Sequence, residues 1–153
     1  MCDNEAACET TVPTEVVSVP QSRRHLRQWL DLLGWPEPAR DDILLAVGEA
    51  VTNAVEHSTD KPESTGPDQA VVDISARVEL DARGARRVRV RILDHGRWRE
   101  PGADPTRSRF GIPFMFELMD QVTITRGASG TEVTLVAPTV SSPRTPLPQP
   151  GTK

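Results

Sequence analysis

Residues 41–58, DDILLAVGEAVTNAVEHS, constrain the fold more than any other stretch of the chain. At about 100° per residue, Ile43, Leu44, Val47, Val51, Ala54 and Val55 fall in one arc about 120° wide, an apolar face that must pack on a core. Asp42, Glu49, Asn53 and Glu56 cluster on the opposite side, with His57 at its edge. Glu49, Asn53 and His57 are spaced i, i+4, i+8 and form a nearly straight row. Ala46 and Ala50 flank that row, and their small side chains would let a ligand approach the helix closely. A polar row opposite an apolar arc is what any amphipathic surface helix shows. The row gains meaning only from its partners later in the chain.

Around this helix the sequence punctuates itself. Residues 1–11 read as a disordered polar leader. Residues 14–19 (TEVVSV) alternate and are β-branched, which predicts a first strand closed by Pro20. Ser22 is placed to cap a helix through Leu33, with Leu26, Trp29, Leu30 and Leu33 on one face. Gly34 suits a left-handed C-cap, and Pro36 and Pro38 reinforce the break. The basic run Arg23, Arg24, Arg27 reads as a solvated face. The central helix starts near Arg40, with Asp41 and Asp42 in its first turn, where carboxylates favour the helix dipole.

A loop is expected over 59–69. Two alternating strands come next, over 70–80 and 86–93 around the turn 81–85, and they form a hairpin whose arginines face water. Residues 94–109 make a long polar loop, a feature often functional in compact domains. A short helix over 111–119 is expected after it, then a second hairpin of 121–126 and 131–136. From Pro138 the chain is rich in Pro, Ser and Thr and reads as a disordered tail. One domain over 12–137 is expected, an α+β two-layer sandwich with a mixed or antiparallel sheet covered on one face by about three helices.

Bulk properties narrow the function classes. A net charge of −4 on 153 residues argues against a nucleic-acid-binding surface. No apolar run approaches the roughly 20 residues needed to cross a bilayer. The N-terminus lacks the basic and apolar regions of a signal peptide. Cys2 and Cys8 are the only cysteines; six residues apart in a polar leader, they suggest neither a metal site nor a disulfide framework, and the expected setting is a reducing cytoplasm.

Four short signals then line up in order: Glu49-Ala-x-x-Asn53-Ala-x-x-His57 on the central helix, Asp94-His-Gly96 at a strand end, Gly111-Ile112-Pro-Phe-Met at the start of a helix, and Gly130-Thr131 at the start of the last strand. Each alone is common. Together, at domain-scale spacing, they resemble the GHKL ATPases of the Bergerat fold, and in detail the anti-sigma-factor serine/threonine kinases of bacterial partner-switch systems. The resemblance spans nearly the whole expected domain.

That resemblance implies ATP and Mg²⁺ as cofactors. Mg²⁺ takes oxygen ligands and keeps phosphates and waters, which makes Asn53 the expected metal ligand. Glu49, one turn away, is implied as the general base for a partner hydroxyl. Asp94, an acceptor-only group, would take the adenine amine, with Gly96 admitting the base and Thr131, after Gly130, supporting the pocket. Gly111 and Ile112 open a helix whose free N–H groups attract phosphate. His57, Arg107 and Arg109 would reach the phosphate side. The implied partners are a sigma factor and an anti-anti-sigma factor, and dimerisation is common among the proteins it resembles. One departure stands out: Arg109 occupies a position where the family usually carries a glycine. It motivates an alternative, a GHKL binding module that sequesters its partner without phosphotransfer. The ATPase domain of a histidine kinase ranks lower, since no dimerising phosphoacceptor helix pair precedes the central helix.

Overall fold

The computed structural model describes residues 6–58, 71–95, 111–127 and 130–141. Eight elements succeed one another: β1 (Ala7–Pro13), α1 (Ser18–Leu32), α2 (Glu37–Ser58), β2 (Val71–Leu80), β3 (Arg86–Asp94), α3 (Gly111–Leu118), β4 (Gln121–Gly127) and β5 (Gly130–Val136). The five strands form one sheet in the order β1-β2-β3-β5-β4. Every neighbouring pair is antiparallel. The expected α+β sandwich is therefore present, with a purely antiparallel sheet.

Alternation along the strands divides the two faces. Cys8, Val12, Val72, Ile74, Ala76, Val88, Val90, Ile92, Val133 and Leu135 are buried with Trp29, Leu30, Ile43, Val47, Val51 and Met115 of the helices in a single core cluster. The opposite face carries an ion-pair lattice. Glu79 accepts from Arg89 Nε at 2.7 Å and Arg87 Nε at 3.3 Å, and pairs with Arg77 Nη2 at 3.0 Å. Arg91 donates to Glu132 at 2.7 Å. Arg87, Arg89 and Arg91, expected to face water, do so with carboxylates between them.

The helix α2 buries every residue assigned to its apolar arc. It also buries Ala46 and Ala50, at 0% and 1% exposure, in the same core as Met115 and Met119. Their small side chains thus serve packing, where the sequence suggested a close approach for a ligand. α2 starts at Glu37, ahead of the expected Arg40, with Pro38 in its first turn, where a missing N–H costs nothing. Of the basic run on α1, Arg27 pairs with Asp31 at 3.9 Å, and Arg23 lays its stem over Gly48, where an added Cβ would lie 3.0 Å from its Cδ.

The end of α1 is as the sequence suggests. Gly34 adopts φ 65°, its N–H bonds to the Asp31 carbonyl at 3.0 Å, and the Trp35 N–H bonds to the Leu30 carbonyl at 3.0 Å. This is a Schellman termination.

The N-terminal expectation is corrected. The first strand is Ala7–Pro13, most of it within the stretch read as a leader and all of it upstream of residues 14–19. It pairs with β2 from Ala7↔Arg77 to Pro13↔Val71 and buries Cys8 and Val12. The alternating stretch offers no such return, for Val16 and Val17 are 80% and 51% exposed. The chain turns there, with the Glu15 N–H bonded to the Pro13 carbonyl at 2.8 Å, and enters α1 at Ser18. Pro20 sits in the opening turn of that helix, and Ser22 is no cap: its buried hydroxyl donates to the Val19 carbonyl at 2.9 Å. Cys8 is buried in the core beside β2, which overturns the reading that it sits in a free leader; Cys2 lies outside the described residues.

Beyond β5 the chain keeps to β3. The Ala137 N–H bonds to the Val88 carbonyl at 2.9 Å, and Val140 bridges Arg86. Ordered pairing thus runs past Pro138, where a tail was expected to begin. Among the described residues no helix is long and apolar enough to cross a membrane.

Candidate functional site

Asp94 ends β3 and shares the helix-covered face with Val90 and Ile92. The residue is buried, at 4% exposure. The ladder places Val72 of β2 on one side of it and Thr131 of β5 on the other. Directly opposed residues on antiparallel strands point to the same face, so the half-buried Thr131 side chain stands beside Asp94.

Gly130 makes this junction possible. Its φ of 142° is a conformation side chains rarely adopt. A Cβ there would drive into the Asp94 carbonyl oxygen and come within 2.9 Å of the His95 Cα. The Gly130-Thr131 and Asp94-His95 signals, far apart in sequence, form one close backbone junction.

The second half of the candidate site is on α2. Glu49, Asn53 and Glu56 are half-buried along its polar side, with Glu49 and Asn53 one turn apart, about 6 Å along the axis. α2 packs against β3, β5 and α3, the elements that carry Asp94, Thr131 and Gly111. His57 lies in the last turn of α2, and Gly111 and Ile112 lie in the first turn of α3. The contacts expected of the His57 and Ile112 side chains, and of Gly96, Arg107 and Arg109, fall outside the described residues.

Sequence reasoning missed a side-chain chain beneath this junction. His95 Nε2 lies 3.0 Å from Asp73 Oδ2 of β2, and the Thr11 hydroxyl of β1 donates to Asp73 Oδ1 at 2.7 Å. The hydrogen bond from His95, then that from Thr11, holds the Asp73 carboxyl below its ordinary value. The only signal available was the histidine within Asp94-His-Gly96; nothing in the sequence links it to Asp73 or Thr11.

The sequence profile of the histidine kinase-like ATPase domain matches residues 12–137. The chain belongs to that ATPase family. The GHKL membership read from the four signals therefore holds. Among solved structures, the crystal structure of the RsbU and RsbW domains of Rv1364c from Mycobacterium tuberculosis is 26% identical, with a TM-score of 0.61, covering 87% of this chain and 32% of that one. The chain thus spans about a third of the length of that protein. The Erythrobacter litoralis EL346 blue-light activated histidine kinase is 26% identical over 67% of this chain and 31% of its own, at a TM-score of 0.47.

Membership in an ATPase domain family implies ATP binding, and this domain's residues fit it. Asp94 is a buried acceptor at the end of a strand ladder, suited to an exocyclic amine. The Asn53 side-chain oxygen suits a hard cation. Among the described residues no group of three or more His, Cys, Asp or Glu is arranged to hold a metal; Mg²⁺ usually keeps several waters and substrate phosphates among its ligands.

Proposed function

We propose that this ATPase domain is a serine/threonine protein kinase of a partner-switch system: it antagonises a sigma factor and phosphorylates an anti-anti-sigma partner. The observation that carries the reading is the half-buried Glu49–Asn53 row on α2 in a histidine kinase-like ATPase domain whose Asp94 and Thr131 meet at one strand rung. The likeness to a chain bearing an RsbW domain supports it. The proposed setting is the cytoplasm, where a sigma factor acts, and the proposed state is a homodimer.

Each residue has a role in this reading. Asp94 accepts from the adenine amine, with Thr131 beside it and Gly96 admitting the base. Asn53 holds Mg²⁺. Gly111 and Ile112 present backbone N–H groups at the start of α3, and His57, Arg107 and Arg109 line the phosphate side. Bound Mg²⁺-ATP supplies the transferable phosphoryl group and the neutralising charge. Glu49 takes the proton of the partner's Ser or Thr hydroxyl as that oxygen becomes the phosphoryl acceptor. Such transfer is mostly positioning and charge neutralisation, which a rigid helix row and a strand end provide.

The test is radiolabelled ATP with the cognate anti-anti-sigma protein. Transfer by the wild type, its loss in Glu49→Gln with ATP binding kept, and weakened Mg²⁺ dependence of binding in Asn53→Ala are expected. A partner that stays unlabelled while the protein binds ATP overturns kinase activity. Arg109, in place of the usual glycine, favours the second reading, sequestration without transfer. Repression that survives Glu49→Ala unchanged supports that one.

A further inference from the structure

We propose that Asp73 is a positioning residue for nucleotide binding, acting through His95 to hold the end of β3 at which Asp94 meets the adenine. The proposal rests on the reading of Asp94 as the adenine acceptor.

The ladder is the reason a tether is needed. Asp94 is the last residue of β3, and both of its strand neighbours, Val72 and Thr131, are the terminal partners in their registers. His95 lies just past the strand, where no ladder bond fixes the backbone. An end of this kind frays unless side chains restrain it. On the β5 side the restraint is the backbone of Gly130, pressed on Asp94 and His95. On the β2 side it is the side chain of Asp73.

Alternation turns Leu93 and His95 to the sheet face opposite Asp94. Asp73 is the register partner of Leu93, so its carboxylate stands diagonally across from His95 and reaches it at 3.0 Å. The carboxylate is itself fixed from the other side by Thr11, its register partner on β1. Three strands thus clamp the residue after Asp94. Moving His95 moves the peptide plane it shares with Asp94.

An exposed pair of this kind contributes little to global stability. Its effect therefore belongs to local geometry at Asp94, and that separates positioning from a structural role. A buried site whose acceptor is slightly misplaced loses affinity for the base it was set to bind and discriminates less against other bases.

The experiment measures Kd for Mg²⁺-ATP and Mg²⁺-GTP, with the melting temperature of the nucleotide-free protein, for wild type, Asp73→Ala, His95→Ala, His95→Gln, Asp73→Ala/His95→Ala and Asp94→Ala. Asp73→Ala and His95→Ala are expected to bind ATP about three- to tenfold more weakly, the size of one lost hydrogen bond. Their preference for ATP over GTP should shrink and their melting temperatures stay close to wild type. His95→Gln keeps a donor near the Nε2 position and should recover most of the affinity. The double variant should be no worse than either single, as expected for two members of one contact. Wild-type ATP affinity in both single variants, with binding lost in Asp94→Ala, overturns the tether and leaves the site reading intact. A fall in melting temperature with an unchanged ATP-to-GTP ratio also overturns it. Wild-type binding in Asp94→Ala overturns the site reading itself, and the tether with it.

Discussion

Asp94 and Thr131 oppose each other at the last rung between β3 and β5, and the residue before Thr131 is the glycine whose backbone rests on the Asp94 carbonyl. Strand pairing therefore converts two weak sequence signals into one polar corner, a buried carboxylate beside a half-buried hydroxyl. An adenine ring offers that corner an amine, which a carboxylate can accept and a carbonyl-bearing guanine edge cannot supply.

That asymmetry sets the first prediction. Asp94→Asn turns an acceptor-only group into one that can present N–H to the amine. It is expected to weaken ATP binding at least roughly tenfold, because a site built around a buried polar contact penalises its loss. Thr131→Val keeps the β-branched shape and removes only the hydroxyl, so about a threefold loss is expected. Titration calorimetry with ATP checks both. Wild-type affinity in Asp94→Asn would remove the adenine contact from the scheme.

Two of the three described glycines with positive φ, Gly34 and Gly130, should respond very differently to alanine. Gly34 has φ 65° and open space where a Cβ would point, so Gly34→Ala costs only the left-handed backbone term, about 1 kcal/mol. Gly130 has φ 142°, and a Cβ there meets Asp94 backbone. Strain and collision together are expected to cost about 3 kcal/mol or more. Urea denaturation compares the two, and equal costs would mean that β5 can shift away from β3 without penalty.

Much of this was legible in the chain. The apolar face of α2 comes from a long periodic run, Gly34 from left-handed cap chemistry, and the β2–β3 hairpin from strict alternation with a wet arginine face. What failed was non-local. Ala7–Pro13 carries a weak strand signal, and its order comes from pairing with β2 and from burying Cys8 and Val12. Residues 14–19 carry a stronger one, yet nothing lies opposite Val16 and Val17 to reward it. The site divides in the same way. Glu49, Asn53, Asp94 and Thr131 could be named from spacing and resemblance. That Gly130 rests on Asp94, and that Thr11, Asp73 and His95 form one chain across three strands, depends on register, which no local pattern reveals.

Arg86 links the start of β3 to the turn between α1 and α2. Its Nη1 donates to the Leu33 carbonyl at 3.1 Å, and its guanidinium lies 4.9 Å from the Trp35 ring centroid. A cation at a helix C-terminus and a stacked planar group both favour this contact. Arg86→Ala is expected to lose about 2 kcal/mol of stability, and Arg86→Lys to recover less than half, since an ammonium cannot stack and donate in the same plane. Chemical denaturation tests the pair. Full recovery by lysine would show that charge alone matters.

The carboxylate of Glu79 should mark the acid limit of the sheet's open face. The hydrogen bond from Arg89, followed by its charge and that of Arg77, lowers the Glu79 pKa from the ordinary 4.5. A carboxyl depressed in the folded state stabilises the protein above its unfolded value and loses that contribution as pH falls through the folded one. Glu79→Gln removes the charge at every pH and leaves Arg77, Arg87 and Arg89 facing one another. The variant should therefore melt below wild type at pH 7, and the gap should close progressively as the pH drops from 4.5 towards the lowered folded value, below which wild-type Glu79 is neutral as well. Added salt should narrow the gap at pH 7, because these side chains are partly exposed and their attraction is screened. Melting curves of the two proteins over that range decide the matter: a gap that persists unchanged in acid would mean that Glu79 acts through packing, with its charge irrelevant to the lattice.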